Sequence, residues 1–71
     1  MHPATVTKQQ LVSFLTKKGY MFKTTVNNMD VYSKGGYADI GMPTLLVMDI
    51  NIVKSQVFTD RLMFAEFILQ L

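Results

Sequence analysis

The sequence predicts a small α+β domain with its elements in the order α-β-β-β-α. A three-stranded antiparallel sheet is expected, covered on one face by the helices. Three observations lead there. Residues 7–18 carry the start and stop signals of an amphipathic helix. Residues 20–34 hold two strand-like runs separated by Asn27-Asn28. Residues 59–70 are rich in helix formers. The length of 71 residues allows one domain spanning 1–71, with residues 1–5 expected to fray.

The first helix is the most fully punctuated element. Thr7 is placed as the N-cap, and Gln10 three residues later closes a capping box. Val6 and Leu11 occupy the positions of a hydrophobic staple. Leu11, Phe14 and Leu15 follow i, i+3, i+4 spacing and form one apolar face. Lys17 and Lys18 fall in the last turn, where the helix dipole favours cations. Gly19 then suits the left-handed position after the cap, with Tyr20 folding back on Leu15.

A hairpin follows. Alternation over Tyr20–Val26 sets Tyr20, Phe22, Thr24 and Val26 on one face, and Met21, Lys23 and Thr25 on the other. Asn27-Asn28 suits a two-residue turn because Asn tolerates positive φ. Met29–Lys34 returns as the second strand until Gly35-Gly36 breaks it. Residues 37–40 are read as a short extension and Gly41-Met42-Pro43 as a loop, since Pro lacks a ladder donor. Thr44–Lys54 is expected as the third strand. Its continuous run Leu45-Leu46-Val47-Met48 is expected to be covered on both faces. The segment from Thr59 or Asp60 to Gln70 is read as a helix, although Phe64, Phe67 and Ile68 suit a strand equally well. Its apolar residues wrap nearly all round, which asks for cover on most sides.

Composition narrows the function. The chain is 49% hydrophobic and 17% charged, has no Cys and no Trp, and carries a formal charge of +2. The absence of Cys excludes a disulfide scaffold, a Cys-ligated zinc finger and thiol chemistry. The longest stretch without a charged residue, Ile40–Met48, is nine residues, against about 20 for a membrane-spanning helix. No signal-peptide pattern is visible, so a cytoplasmic protein with no membrane contact is expected. A domain this small buries only about 60% of the surface its unfolded chain exposes. That leaves more apolar surface than one core can hide. The expected function is therefore a non-catalytic protein–protein interaction or regulatory protein, acting as a homodimer. Phe58, Met63, Phe64, Phe67 and Leu71 are the expected interface.

Charge is uneven. Lys8, Lys17, Lys18, Lys23 and Lys34 stand against Asp30 in residues 1–36, a net of +4; residues 37–71 carry a net of −2. Lys17, Lys18, Tyr20, Lys23, Tyr32 and Lys34, with Tyr37, form a basic-aromatic set able in principle to hold phosphates and stack bases. An RNA- or DNA-binding module is thus the alternative function. That half also faces an acidic one, which can neutralise it within the fold. No catalytic residue, cofactor or metal site is expected. His2 is the only histidine and lies before Pro3, with nothing nearby to hold it, so Ser13, Ser33 and Ser55 have no triad partner. Asp39, Asp49, Asp60 and Glu66 match no calcium-loop spacing. Lys34-Gly35-Gly36 lacks the spacing of a phosphate-binding loop and reads as a turn. The six Met residues are read mostly as gap-fillers of the core.

The run from Gln9 through Lys17-Lys18-Gly19-Tyr20-Met21-Phe22-Lys23 resembles the opening of the small HicA-type toxins, a helix with a Lys-rich end and Gly followed by an aromatic-bearing strand. The resemblance covers about a fifth of the chain. It implies an architecture similar to double-stranded-RNA-binding domains, helix, three strands, helix. In that family a Gly-Ser-His element on the second strand serves RNA cleavage. Here the corresponding stretch reads Asn27-Asn28-Met29-Asp30-Val31 and has no His. The resemblance therefore implies topology and no nuclease activity.

Overall fold

The computed structural model describes residues 5–36 and 38–71. Strand β1 (Thr5–Thr7) runs directly into helix α1 (Lys8–Lys17). The Gln10 amide donates to Thr7 Oγ1 at 3.2 Å and the Thr7 amide donates to Gln10 Oε1 at 2.9 Å. The capping box thus forms as its spacing requires. Val6 and Leu11, the staple pair, are both fully buried. At the other end Gly19 takes φ +95°, and the Tyr20 amide donates to the Leu15 carbonyl while the Gly19 amide donates to that of Thr16. These are the two bonds of a Schellman ending. Of the frayed segment expected over 1–5, Thr5 pairs with Asp49 and the rest lies outside the described residues.

Strands β2 (Met21–Val26), β3 (Met29–Lys34) and β4 (Ala38–Pro43) form an antiparallel sheet in that order. Asn27 and Asn28 sit at φ 51° and 62°, the left-handed pair of a two-residue hairpin turn. The expected face assignment on β2 is corrected by a bulge. Phe22 pairs with Tyr32 but Thr24 pairs with Val31, so Lys23 is an extra residue. Every side chain beyond it changes face. Phe22 and Thr25 accompany Tyr32 and Asp30 on the core side, while Met21, Thr24 and Val26 face outward.

The third strand of the sheet is also reassigned. It is β4, which takes in Gly41-Met42-Pro43, and not Thr44–Lys54. Pro43 pairs with Met29 at the end of β4, on an edge strand where a missing donor costs little. Met42 is fully buried. Within 44–54 only β5 (Val47–Asp49) is extended, and it pairs antiparallel with β1 in a separate two-stranded ribbon. This ribbon buries Val6 and Met48 toward the core. Asp49 then caps a helical turn, α2 (Ile50–Ile52), its Oδ1 accepting from the Asn51 amide at 2.7 Å. The turn widens into a π-helical segment, Val53–Val57. The Asp cap and the burial of Val53 and Val57 prevail over the β-branched composition that suggests a strand. Leu45, Leu46 and Val47, expected to be covered, are 62%, 75% and 53% exposed.

Helix α3 (Arg61–Leu69) begins at Asp60, whose Oδ1 accepts from the Leu62 and Met63 amides. The C-terminal segment is therefore a helix. It closes the core with Phe67, whose ring centroid lies 5.4 Å from that of Phe14 and 5.2 Å from that of Phe58. Phe14 and Phe58 meet edge to face at 5.6 Å. Around this aromatic centre stand Leu11 and Leu15 of α1, Tyr32 and Met42 of the sheet, Val6 and Met48 of the ribbon, and Val53 and Val57. The class is α+β, with the predicted helix–three strands–helix order interrupted by the ribbon and the π-helical turn.

Candidate functional site

The expected C-terminal interface is divided by the fold. Phe58 and Phe67 are 3% and 1% exposed. Their rings belong to the aromatic centre and are not presented to a partner. Met63 and Phe64 are half-buried against the same core. Leu71 alone of the five is clearly open.

The apolar surface lies elsewhere. On α3, Met63 and Phe67 point inward, and residues seven apart share the opposite side. That side carries Leu62 and Leu69, 79% and 86% exposed, with the exposed small residue Ala65 between them. A second patch is Leu45-Leu46-Val47, held beside α1 by a hydrogen bond from the Lys8 amide to the Leu46 carbonyl. A third is the outward face of β2, with Met21 and Val26; Phe22, also exposed, lies on the other face against the Tyr32 ring. The seven-residue spacing of Leu62 and Leu69 is present in the sequence. Their outward direction depends on which side meets Phe14, and composition does not give that.

The basic-aromatic set does not assemble into one open surface. Tyr20 and Tyr32 are buried, so neither offers a ring face to a base. Lys18 Nζ lies 2.8 Å from Glu66 Oε2, and Lys23 Nζ lies 3.4 Å from Asp39 Oδ2. Lys34 Nζ sits 5.8 Å from the Tyr20 ring centroid. Lys17 remains exposed. Tyr37 lies outside the described residues. The acidic half of the chain thus neutralises much of the basic half, as the uneven charge allows. Hydrogen bonding from Ser33, aided by Lys23, holds the Asp39 carboxyl below the usual carboxylate range, against a smaller opposing effect of burial.

One buried polar cluster was not anticipated. Asp30, 5% exposed on the core side of β3, accepts from Lys8 of α1 through Oδ2 and from Thr25 Oγ1 through Oδ1, the latter at 2.9 Å. The Lys8 hydrogen bond holds the Asp30 carboxyl below its ordinary value, desolvation opposes it, and Thr25 adds to the lowering. A lysine in the first turn of a helix opposes the macrodipole, and its partner here is a carboxylate from the sheet. The bulge at Lys23 turns Thr25 inward to complete the cluster.

The remaining carboxylates have structural partners. Asp49 and Asp60 cap helices, and Asp39 and Glu66 pair with lysines. Among the described residues no three of His, Cys, Asp or Glu converge as metal ligands. His2 lies outside them. Gly35 and Gly36 form a turn at φ 46° and 77°. No helix among the described residues is long and apolar enough to cross a membrane. No family model, curated protein or solved structure matches the chain.

Proposed function

We propose that the chain is a small, non-catalytic, cytoplasmic protein-interaction domain that acts as a homodimer, with the outward side of α3 as the contact between copies. The observation that carries this reading is the exposure of Leu62 and Leu69 on a helix already packed through its other side. Leaving two leucines in water two helical turns apart forgoes about 1.5–3 kcal/mol of burial each. A two-fold arrangement sets the Leu62 of one copy against the Leu69 of the other, with Ala65 allowing close approach of the two helices. A single small core also gains stability from a second chain. The likeness to HicA-type toxins adds no nuclease proposal, since the stretch that would carry the His has none. The nucleic-acid alternative is disfavoured by the paired lysines and buried tyrosines.

Sedimentation equilibrium tests the reading. The expected mass at micromolar concentration is twice the chain mass of 8.1 kDa. A single species at the chain mass up to high micromolar concentration overturns it.

A further inference from the structure

Two cations of the C-terminal half converge on one groove. Lys54, from the π-helical segment, and Arg61, from the first turn of α3, line a groove of about 510 Å³ together with Ser55, Phe58, Thr59 and Phe64. Neither cation has an ion-pair partner among the described residues, unlike Lys8, Lys18 and Lys23. Asp60 lies between the two elements, but its carboxylate faces the Leu62 and Met63 amides. The groove thus has positive charge and hydroxyl groups around an apolar base. On α3 it flanks Arg61 and Phe64, a different side from Leu62 and Leu69.

We propose that this groove binds a short acidic segment of a partner protein, with carboxylates meeting Lys54 and Arg61 and one apolar side chain seated against Phe64. Charge complementarity selects the occupant. One ammonium and one guanidinium on the same groove suit carboxylates of an acidic segment. The Ser55 hydroxyl already donates to the Ile52 carbonyl at 3.4 Å, so the two cations and the Thr59 side chain are the polar groups the groove offers. A single-stranded nucleic acid fits less well, because a base stacks on an open ring face and Phe58 is 3% exposed, its ring tilted against Phe64. The proposal rests on reading the chain as an interaction domain and gives that domain a second partner beside its own copy.

The probes are a fluorescein-labelled peptide DEFLED, its basic counterpart KRFLKR and a single-stranded oligonucleotide, titrated with the full chain in fluorescence anisotropy. The acidic peptide is expected to bind, and chemical-shift changes are expected at the amides of Ser55, Thr59 and Phe64. Paired Lys54→Gln and Arg61→Gln substitutions should weaken binding by on the order of tenfold, while Lys17→Gln, at an exposed lysine outside the groove, leaves it unchanged. Absence of binding, equal weakening by Lys17→Gln, shift changes elsewhere, or preference for the basic peptide or the oligonucleotide each overturns the proposal. Peptide binding is read at protein concentrations where sedimentation has fixed the oligomeric state, so failure here and failure of the dimer are separate results.

Discussion

Helices α1 and α3 are of similar length and both contribute phenylalanine to the same aromatic centre, yet they are built on different plans. Helix α1 has one apolar stripe, Leu11, Phe14 and Leu15, all buried. Its other side carries Gln9, Gln10, Thr16 and Lys17 in water. Helix α3 buries Phe67 and half-buries Met63 and Phe64, then repeats apolar character on the far side with Leu62 and Leu69. A helix with one stripe is satisfied by its own domain. A helix with two has unused burial that only another surface can realise. The difference separates what the chain needs in order to fold from what it carries beyond that need.

The sharpest way to break this comparison is within α3 itself. Phe67 and Leu69 are two residues apart, but only Phe67 touches both Phe14 and Phe58. Phe67→Ala removes a fully buried ring from the centre of the core. It should cost about 3–5 kcal/mol, a large share of the stability of a domain of this size, read as a lower urea midpoint. A loss below 1 kcal/mol would show that α3 is not seated on the core, and the assignment of its two sides would fall.

The second test concerns how α1 is held to the sheet. Asp30 binds both Lys8 and Thr25 in a nearly dry position. Asp30→Asn leaves Lys8 without its counter-charge and should destabilise by about 1–3 kcal/mol in urea unfolding. The pH dependence has a definite sign. Asp30 titrates lower in the folded chain than in the unfolded one, so the unfolded state binds its proton first as pH falls. Its contribution is fully present above the unfolded value of about 4 and is lost as pH drops through the lower folded value. Stability should therefore decline below about pH 4, and the Asn variant should show a shallower decline there. Parallel slopes for the two proteins would remove Asp30 from the account.

What the sequence disclosed, and what it hid, follows from the range of the interactions. The first helix was legible because its cap, staple and terminal glycine each act through partners no more than five residues apart. The Asn27-Asn28 turn was legible for the same reason. The bulge at Lys23 was not, since no glycine marks it and it exists only in relation to β3. The stretch 44–57 misled because Ile50, Ile52 and Val53 favour strands, while the Asp49 cap and the burial of Val53 and Val57 decide for a helical turn. The core-or-surface role of the C-terminal phenylalanines was not legible either. Hydrophobicity says that Phe58 and Phe67 want cover but not whether their own chain supplies it, and Phe14, some 50 residues away, does.

The smallest expected effect on the fold is the most informative about function. Leu62→Ser with Leu69→Ser removes apolar groups that make no core contact, so the stability of the isolated chain should change by no more than about 0.5 kcal/mol. The melting temperature, however, should respond. If two copies associate through this side, folding is linked to association and the wild-type melting temperature rises with protein concentration. In the double variant that dependence should vanish while the circular dichroism spectrum is retained. A wild type that melts at one temperature across a hundredfold range of concentration, indistinguishable from the variant, would mean that the second stripe of α3 is idle in self-association. The contrast between the two helices would then describe exposure alone, with no bearing on assembly.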